Sequence, residues 1–306
     1  MSSYQIGLLI QACISVISIA GIFALTGLAG MFSLGQAGYM AIGAYTTFIL
    51  ASRMGVPFWL TSIIGIGFSA MVACIAAMPT VRLRKDYFSL ITIGLGQAIT
   101  ALLISMSKLT NGSQGFTKIP KVTNLIWIVV IVMVIVVIIV RNLKYSRFGR
   151  MCIALKNDEL AAKSFAINVY GLKIKIYVLA SAIASIAGIL LGLQSRVLLP
   201  ESFGWTASSE LEIFLFFGGT NSLTGSIISG FTLKILPELL RNVELFGQSL
   251  QEYRTILYCV LIIIILNFRT AGLFGEYELN FRFVKKFFSK KKNDVASKPK
   301  SRREDA

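Results

Sequence analysis

The 306-residue sequence contains no histidine, and its four cysteines (Cys13, Cys74, Cys152, Cys259) stand apart with no CxxC spacing. Without imidazoles or paired thiols, zinc sites and histidine-based acid–base catalysis lack their usual groups. The cysteines read as small apolar packing residues. Charge is scarce as well: 14% of residues are Asp, Glu, Lys or Arg, against about 25% in a soluble domain. No GxxxxGK[ST] phosphate loop occurs. The longest polar stretch between apolar runs is about 30 residues, too short to fold by itself. Any ATP chemistry therefore belongs to other chains, and no cofactor or metal is expected on this one.

Apolar residues are abundant instead: 55% of the chain, with a mean hydropathy of +0.74. A water-soluble fold of this length cannot hide that much apolar surface, so lipid is its solvent. A crossing helix needs about 20 apolar residues, which predicts an all-α polytopic membrane protein with about eight to ten membrane segments, some short or broken. Candidate spans are 6–27, 36–52, 58–79, 87–107, 124–140, 174–195, 209–240 and 254–268. The first lacks a positively charged n-region and reads as a retained span. The region 209–240 is overlong and interrupted by Gly218, Gly219 and Gly225, so it is one kinked helix or two short helices meeting inside the protein.

Basic residues orient the spans, because short loops rich in Lys and Arg stay inside. Arg82, Arg84 and Lys85 mark the loop after the third span. The segment 141–175 carries eight basic residues against two acids, and 282–306 carries ten against three. All three are expected to be cytoplasmic, which puts Met1 outside and requires 209–240 to begin and end outside. Lys108, Lys118 and Lys121 in the outer loop 108–123 run mildly against this. The chain divides into a transmembrane part, 1–281, and a basic cytoplasmic tail, 282–306, expected to be disordered. That tail suits anionic lipid rather than nucleic acid, since no groove-reading pattern accompanies it.

Three segments carry chemistry. Residues 157–165 form a short helix capped by Asn157 or Asp158, with Leu155, Leu160, Ala161 and Phe165 on one apolar side. Spacing leaves two readings open: a docking element for a soluble partner, or a surface helix on lipid headgroups. Residues 26–47 are crowded with small side chains. They suit tight helix packing, or a broken helix beside a solute path in which Ser33, Gly35, Gln36 and Gly38 take part. In 209–241, Glu210 and Glu212 are expected at the outer surface. Gly218, Gly219, Thr220, Asn221 and Ser222 mark a polar break, a candidate part of the path. Lys234 and Glu238, four apart, are expected to pair for structural reasons.

Five ordered stretches resemble one family: GLAGMFSLGQAGYMAIGAYT; VRLRKDYFSLITIGLGQ with LTNGSQGF; the run SRFGRMCIALKNDELAAKSFAINVYGLKIK and its continuation; PESFGWTASSELEIFLFFGGTNSLTGSIISG with LPELLR; and NFRTAGLFG. They cover residues 25–275 and are similar to the M-type permease subunits of ABC importers for branched-chain amino acids. The resemblance implies a coupling helix in the segment Asn157–Asn168, which docks in a groove of an ATPase subunit. Glu159, Ala161 and Ala162 fall on the family's Glu-x-Ala-Ala pattern, with Lys163, Phe165 and Ile167 following. Ala166 stands where the family usually has Gly, and Gln36 where it often has His. The implied partners are a second permease, two cytoplasmic ATPase subunits that bind ATP and Mg, and an external substrate-binding protein. Related systems for urea, short amides, or ribose and nucleosides remain alternatives. From a different class, so does an ion-coupled secondary transporter, although acids within the spans are few.

Overall fold

The computed structural model describes residues 3–83, 85–122 and 124–239 and, beyond them, 244–245, 248–249, 260, 263, 272 and 275. The expected span 254–268 and the basic tail lie outside the described residues, apart from those few positions.

The first helix, α1 (Ser3–Ile22), runs on into a π-helical turn, Phe23–Leu28. The chain is then unwound until α2 (Gln36–Met54). Next come α3 (Phe58–Thr80), α4 (Lys85–Ser105) and a single turn, α5 (Ser107–Thr110). They are followed by α6 (Leu125–Tyr145), α7 (Arg147–Asn157), α8 (Glu159–Ser164) and α9 (Val169–Ser195). The last two described helices are α10 (Trp205–Gly218) and α11 (Leu223–Leu239). The protein is an all-α polytopic membrane protein. Among the described residues, five segments are long and apolar enough to cross a bilayer: Tyr4–Leu28, Phe58–Thr80, Asp86–Ser105, Leu125–Tyr145 and Val169–Ser195.

Packing inverts the rule of soluble proteins. On α3 the buried residues Thr61, Gly65, Ser69, Ala73 and Ala77 recur every fourth position, whereas Trp59, Ile63, Met71 and Ile75 are exposed. Small residues let helix backbones close up, and large apolar ones are left for lipid. Close approach is tightest between α2 and α9. A methyl group added at Gly43 would overlap Ser185 Oγ, and one at Gly188 would overlap the Met40 carbonyl. Hydroxyls within this bundle turn to carbonyls, as Ser69 Oγ does to Tyr39 at 3.2 Å, because no water is available to them.

Cross-links assign the helix ends. Gln194 donates to the Gly7 carbonyl, and Phe116 pairs with Leu198 in an isolated bridge. Arg53 donates to the carbonyl of Lys108. The start of α1 and the ends of α2, α4 and α9 therefore share one end of the bundle. At the opposite end, Arg82 lies 5.1 Å above the ring of Tyr170, which joins the basic loop after α3 to the basic segment before α9. The alternation read from the charges is thus reproduced helix by helix.

The overlong region resolves into two helices. With 14 and 17 residues, α10 and α11 are each shorter than a full crossing of about 20. They pack on each other and meet at residues 219–222, where Gly219 takes φ +110°, a conformation few side chains tolerate. The expected Lys234–Glu238 pair involves a side chain outside the described ones. Lys234 instead pairs with Glu210 across the hairpin at 3.0 Å.

Candidate functional site

The short helix expected over 157–165 is present as α8, with Asp158 rather than Asn157 as its cap, and a helix not read from the sequence, α7, runs up to it. Asn157 ends α7, and Asp158 starts α8, its carboxylate accepting from the N–H of Leu160 (2.8 Å) and Ala161 (3.1 Å). An acidic cap satisfies donors that a helix start leaves bare and matches its dipole. The expected apolar side also splits. Leu155 is buried within α7, whereas Leu160 and Phe165 on α8 are 75% and 79% exposed. Ala162, at 2% exposure, and Glu159 turn toward the rest of the chain.

Glu159 fastens α8 to the membrane part. It accepts from Lys173 of α9 at 2.8 Å and from Lys163 at 3.2 Å. Burial opposes its charge, but the bonds from Lys173 and then Lys163 outweigh that, and its acidity shifts to below the ordinary value of 4.5. After α8, Ala166 takes φ +56°, which explains the Gly usual there. Ile167 donates its N–H to the carbonyl of Ala162, and Asn168 caps α9 by accepting from Gly171.

The second set of expected residues lies at the start of α2. Ser33 and Gln36 are buried, and the Gln36 amide, 1% exposed, finds no protein partner at either end among the described residues. Gly35 and Gly38 lie against α4, at Thr92 and Gly96. The N–H of Ala37 donates to Ser208 Oγ of α10 at 3.0 Å.

The third set forms the tip of the α10–α11 hairpin. Gly218 packs on Gly225, and the carbonyl of Thr220 abuts Gly27. Asn221 receives two lysines: Lys144 donates to its carbonyl (2.6 Å) and Lys156 to its Oδ1 (2.7 Å). Lys156 also donates to the Gly27 carbonyl at 2.8 Å. These cations suit the negative end of α10. Ser222 caps α11 through the N–H of Gly225.

Glu212 corrects an expectation. It is not at the outer surface but 1% exposed, with Oε1 accepting from Thr26 Oγ1 at 2.8 Å and Oε2 unpartnered among the described residues. Thr26 belongs to the π-turn, next to Gly27. The π-turn therefore links the two sets: Thr26 reaches Met31, just ahead of α2, and Glu212, while Gly27 touches the hairpin tip. π-turns inside helices are frequent at functional sites. Sequence reasoning missed Glu212 because an acid in an apolar run shows no direction. Its spacing from Ser208 and Leu215, both buried on the same face of α10, carries that signal.

Cavities flank this region. One of about 400 Å³ opens among α1, the 197–203 turn, α10 and Lys234, and descends to Ser18, Ala37 and Met40. Another, of about 450 Å³, lies at the basic end among Gly27, Lys144, Lys156 and Asn221.

Comparison with known proteins agrees on lineage. The "High-affinity branched-chain amino acid transport system permease protein LivM" of Escherichia coli (strain K12) is 26% identical over 83% of this chain and 66% of its own length. The corresponding LivH of the same strain is 27% identical over 68% of this chain and 65% of its own length. The chain thus spans just under two thirds of the length of the curated relatives it matches. A solved structure, PsaBC from Streptococcus pneumoniae in complex with Fab, is 15% identical with a TM-score of 0.49, covering 86% of this chain and 91% of that one. A family model described as "Branched-chain amino acid transport system / permease component" matches residues 5–266, and the chain belongs to that family.

Proposed function

We propose that the chain is a permease subunit of an ATP-driven ABC importer for branched-chain amino acids, in a bacterial-type inner membrane. The observation that carries this is α8: a short, capped, charge-anchored helix at the basic end with Leu160 and Phe165 bare. On this reading Leu160 and Phe165 are the apolar anchors that an ATPase groove receives, in the manner of a helix laid in a groove. Two permease proteins of one bacterium resemble the chain, which supports a second, similar permease as its partner. Two ATPase subunits that bind ATP and Mg sit on the basic, cytoplasmic side, and a substrate-binding protein docks outside. On this reading the C-terminus is cytoplasmic. The path runs past Glu212, Gln36 and the hairpin tip, closed between the two cavities. ATP binding draws the ATPases together, moves α8, and shifts the permease pair between outward- and inward-facing states.

The test is purification from native membranes with the co-purifying chains identified. Ala162 is buried, so a substitution there would disturb α8 itself; Leu160→Arg and Phe165→Arg report on docking. An ATPase and a second permease are expected to accompany the parent, with the ATPase lost from the variants. A chain that runs alone and takes up solute without ATP overturns the reading. Glu212, the one buried acid among the described residues, supports a second reading, since a carboxylate inside a membrane is a common ion site. Uptake by the isolated chain driven by an ion gradient, and abolished in Glu212→Gln, would favour that ion-coupled transporter.

A further inference from the structure

The outer cavity carries one charge of each sign. Glu210 of α10 and Lys234 of α11 both line it and hold each other at 3.0 Å. Apart from that pair, its wall alternates aliphatic groups, among them Ile14, Met40 and Leu211, with hydroxyls such as Ser15 and Ser202. Neither charge is bound for lack of another place: Glu210 stands near the start of a helix that begins at the open end of the bundle, where water could serve it.

We infer that this cavity is a binding site in the permease itself for a small aliphatic zwitterion, an α-amino acid, with Glu210 receiving its ammonium and Lys234 its carboxylate. This rests on the importer reading, takes its substrate class from it, and adds the residues that receive the substrate. The physical argument is charge balance at a partly exposed pair, the side chains of Lys234 and Glu210 being 23% and 45% exposed. When the cavity is empty, Glu210 and Lys234 satisfy each other and no charge is stranded. A zwitterion entering between them exchanges one ion pair for two, with no change of net charge. An amine alone would leave Lys234 unpaired beside a cation, and a carboxylate alone would leave Glu210 unpaired beside an anion, so each gains less than the zwitterion. About 400 Å³ falls within the size of small-molecule pockets and accommodates a leucine-sized side chain against the aliphatic wall. The floor at Ala37 is also where α2 bonds to Ser208, one turn of α10 before Glu212, so a bound molecule would sit directly above the closed part of the path.

The experiment uses the complete importer complex in lipid nanodiscs, without its binding protein, and equilibrium dialysis with radiolabelled L-leucine. Isopentylamine and 4-methylpentanoate, which are leucine without its carboxylate and without its ammonium, serve as competitors. The parent is expected to bind leucine at least about tenfold more tightly than either competitor. Lys234→Met should weaken leucine and bring isopentylamine level with it, and Glu210→Gln should do the same for 4-methylpentanoate. The double variant Glu210→Lys with Lys234→Glu keeps the pair and controls for folding. No saturable leucine binding to the parent, or unchanged discrimination in both single variants, overturns the site. ATP-driven uptake is measured on the same parent complex moved into proteoliposomes, with its binding protein restored. Uptake without binding sinks the site and leaves the importer reading standing, whereas leucine binding without ATP-driven uptake sinks the importer reading.

Discussion

Ala166 shows how one residue can carry a local cost for a turn the fold demands. Its φ of +56° crowds a Cβ against the backbone, by about 1–2 kcal/mol for an ordinary residue. Ala166→Gly is therefore expected to raise the stability of the α8–α9 junction by about 1 kcal/mol, read as a higher thermal midpoint in detergent. Glu159 makes a prediction of the opposite kind. Its acidity is shifted below 4.5 in the folded state, so its bonds to Lys173 and Lys163 contribute fully above the unfolded value and are lost as pH falls through the folded one. The protection factors of the α8 amides should stay constant from neutrality down to the ordinary carboxylate range and fall only below it. Protection that decays already near neutrality would show that another group holds α8. The departure at Ala166 was legible in the sequence as a missing glycine, but its reason, a left-handed backbone, is a property of the turn and needed the structure.

At the scale of helices, the bilayer makes the sequence easy to read. A run of about twenty apolar residues is imposed by membrane thickness, so α3, α6 and α9 fall close to the expected spans. The break in 209–240 was visible too, because glycines and polar residues in an apolar run need a satisfied backbone. Direction around each helix was less visible. A span that is apolar on every side gives no periodic contrast, so Glu212 was assigned to the surface and the Glu210–Lys234 contact was not foreseen. The cap at Asp158 was one of the two the sequence offered, whereas the helix before it, α7, was hidden in a stretch read only as a basic segment. Small residues supply the contrast that hydrophobicity lacks. Gly43→Ala, pressed on Ser185 of α9, is expected to cost about 1–3 kcal/mol. Ile63→Ala, exposed on α3, is expected to stay within about 0.5 kcal/mol. Equal losses from the two substitutions, measured by thermal unfolding in one detergent, would contradict the small-inside packing.

Across the whole molecule, two distant regions are mechanically adjacent. Lys156, on the last turn of α7, holds both the Gly27 carbonyl and Asn221 at the hairpin tip. Asp158, two residues on, is the cap of α8. A displacement of α8 therefore arrives at the tip of the α10–α11 hairpin through two residues of backbone. Such a connection has no preferred direction: a coupling free energy between two sites acts equally on both. If α8 carries the nucleotide-binding partner, solute lodged in the path must change that partner's nucleotide affinity by the same factor by which nucleotide changes affinity for the solute. Titrating nucleotide onto the assembled complex with and without solute measures one arm, and titrating solute with and without nucleotide measures the other. Equal factors that both fall to one in Lys156→Met would make this lysine a two-way sensor, through which the cytoplasmic machine registers whether anything is waiting to be carried.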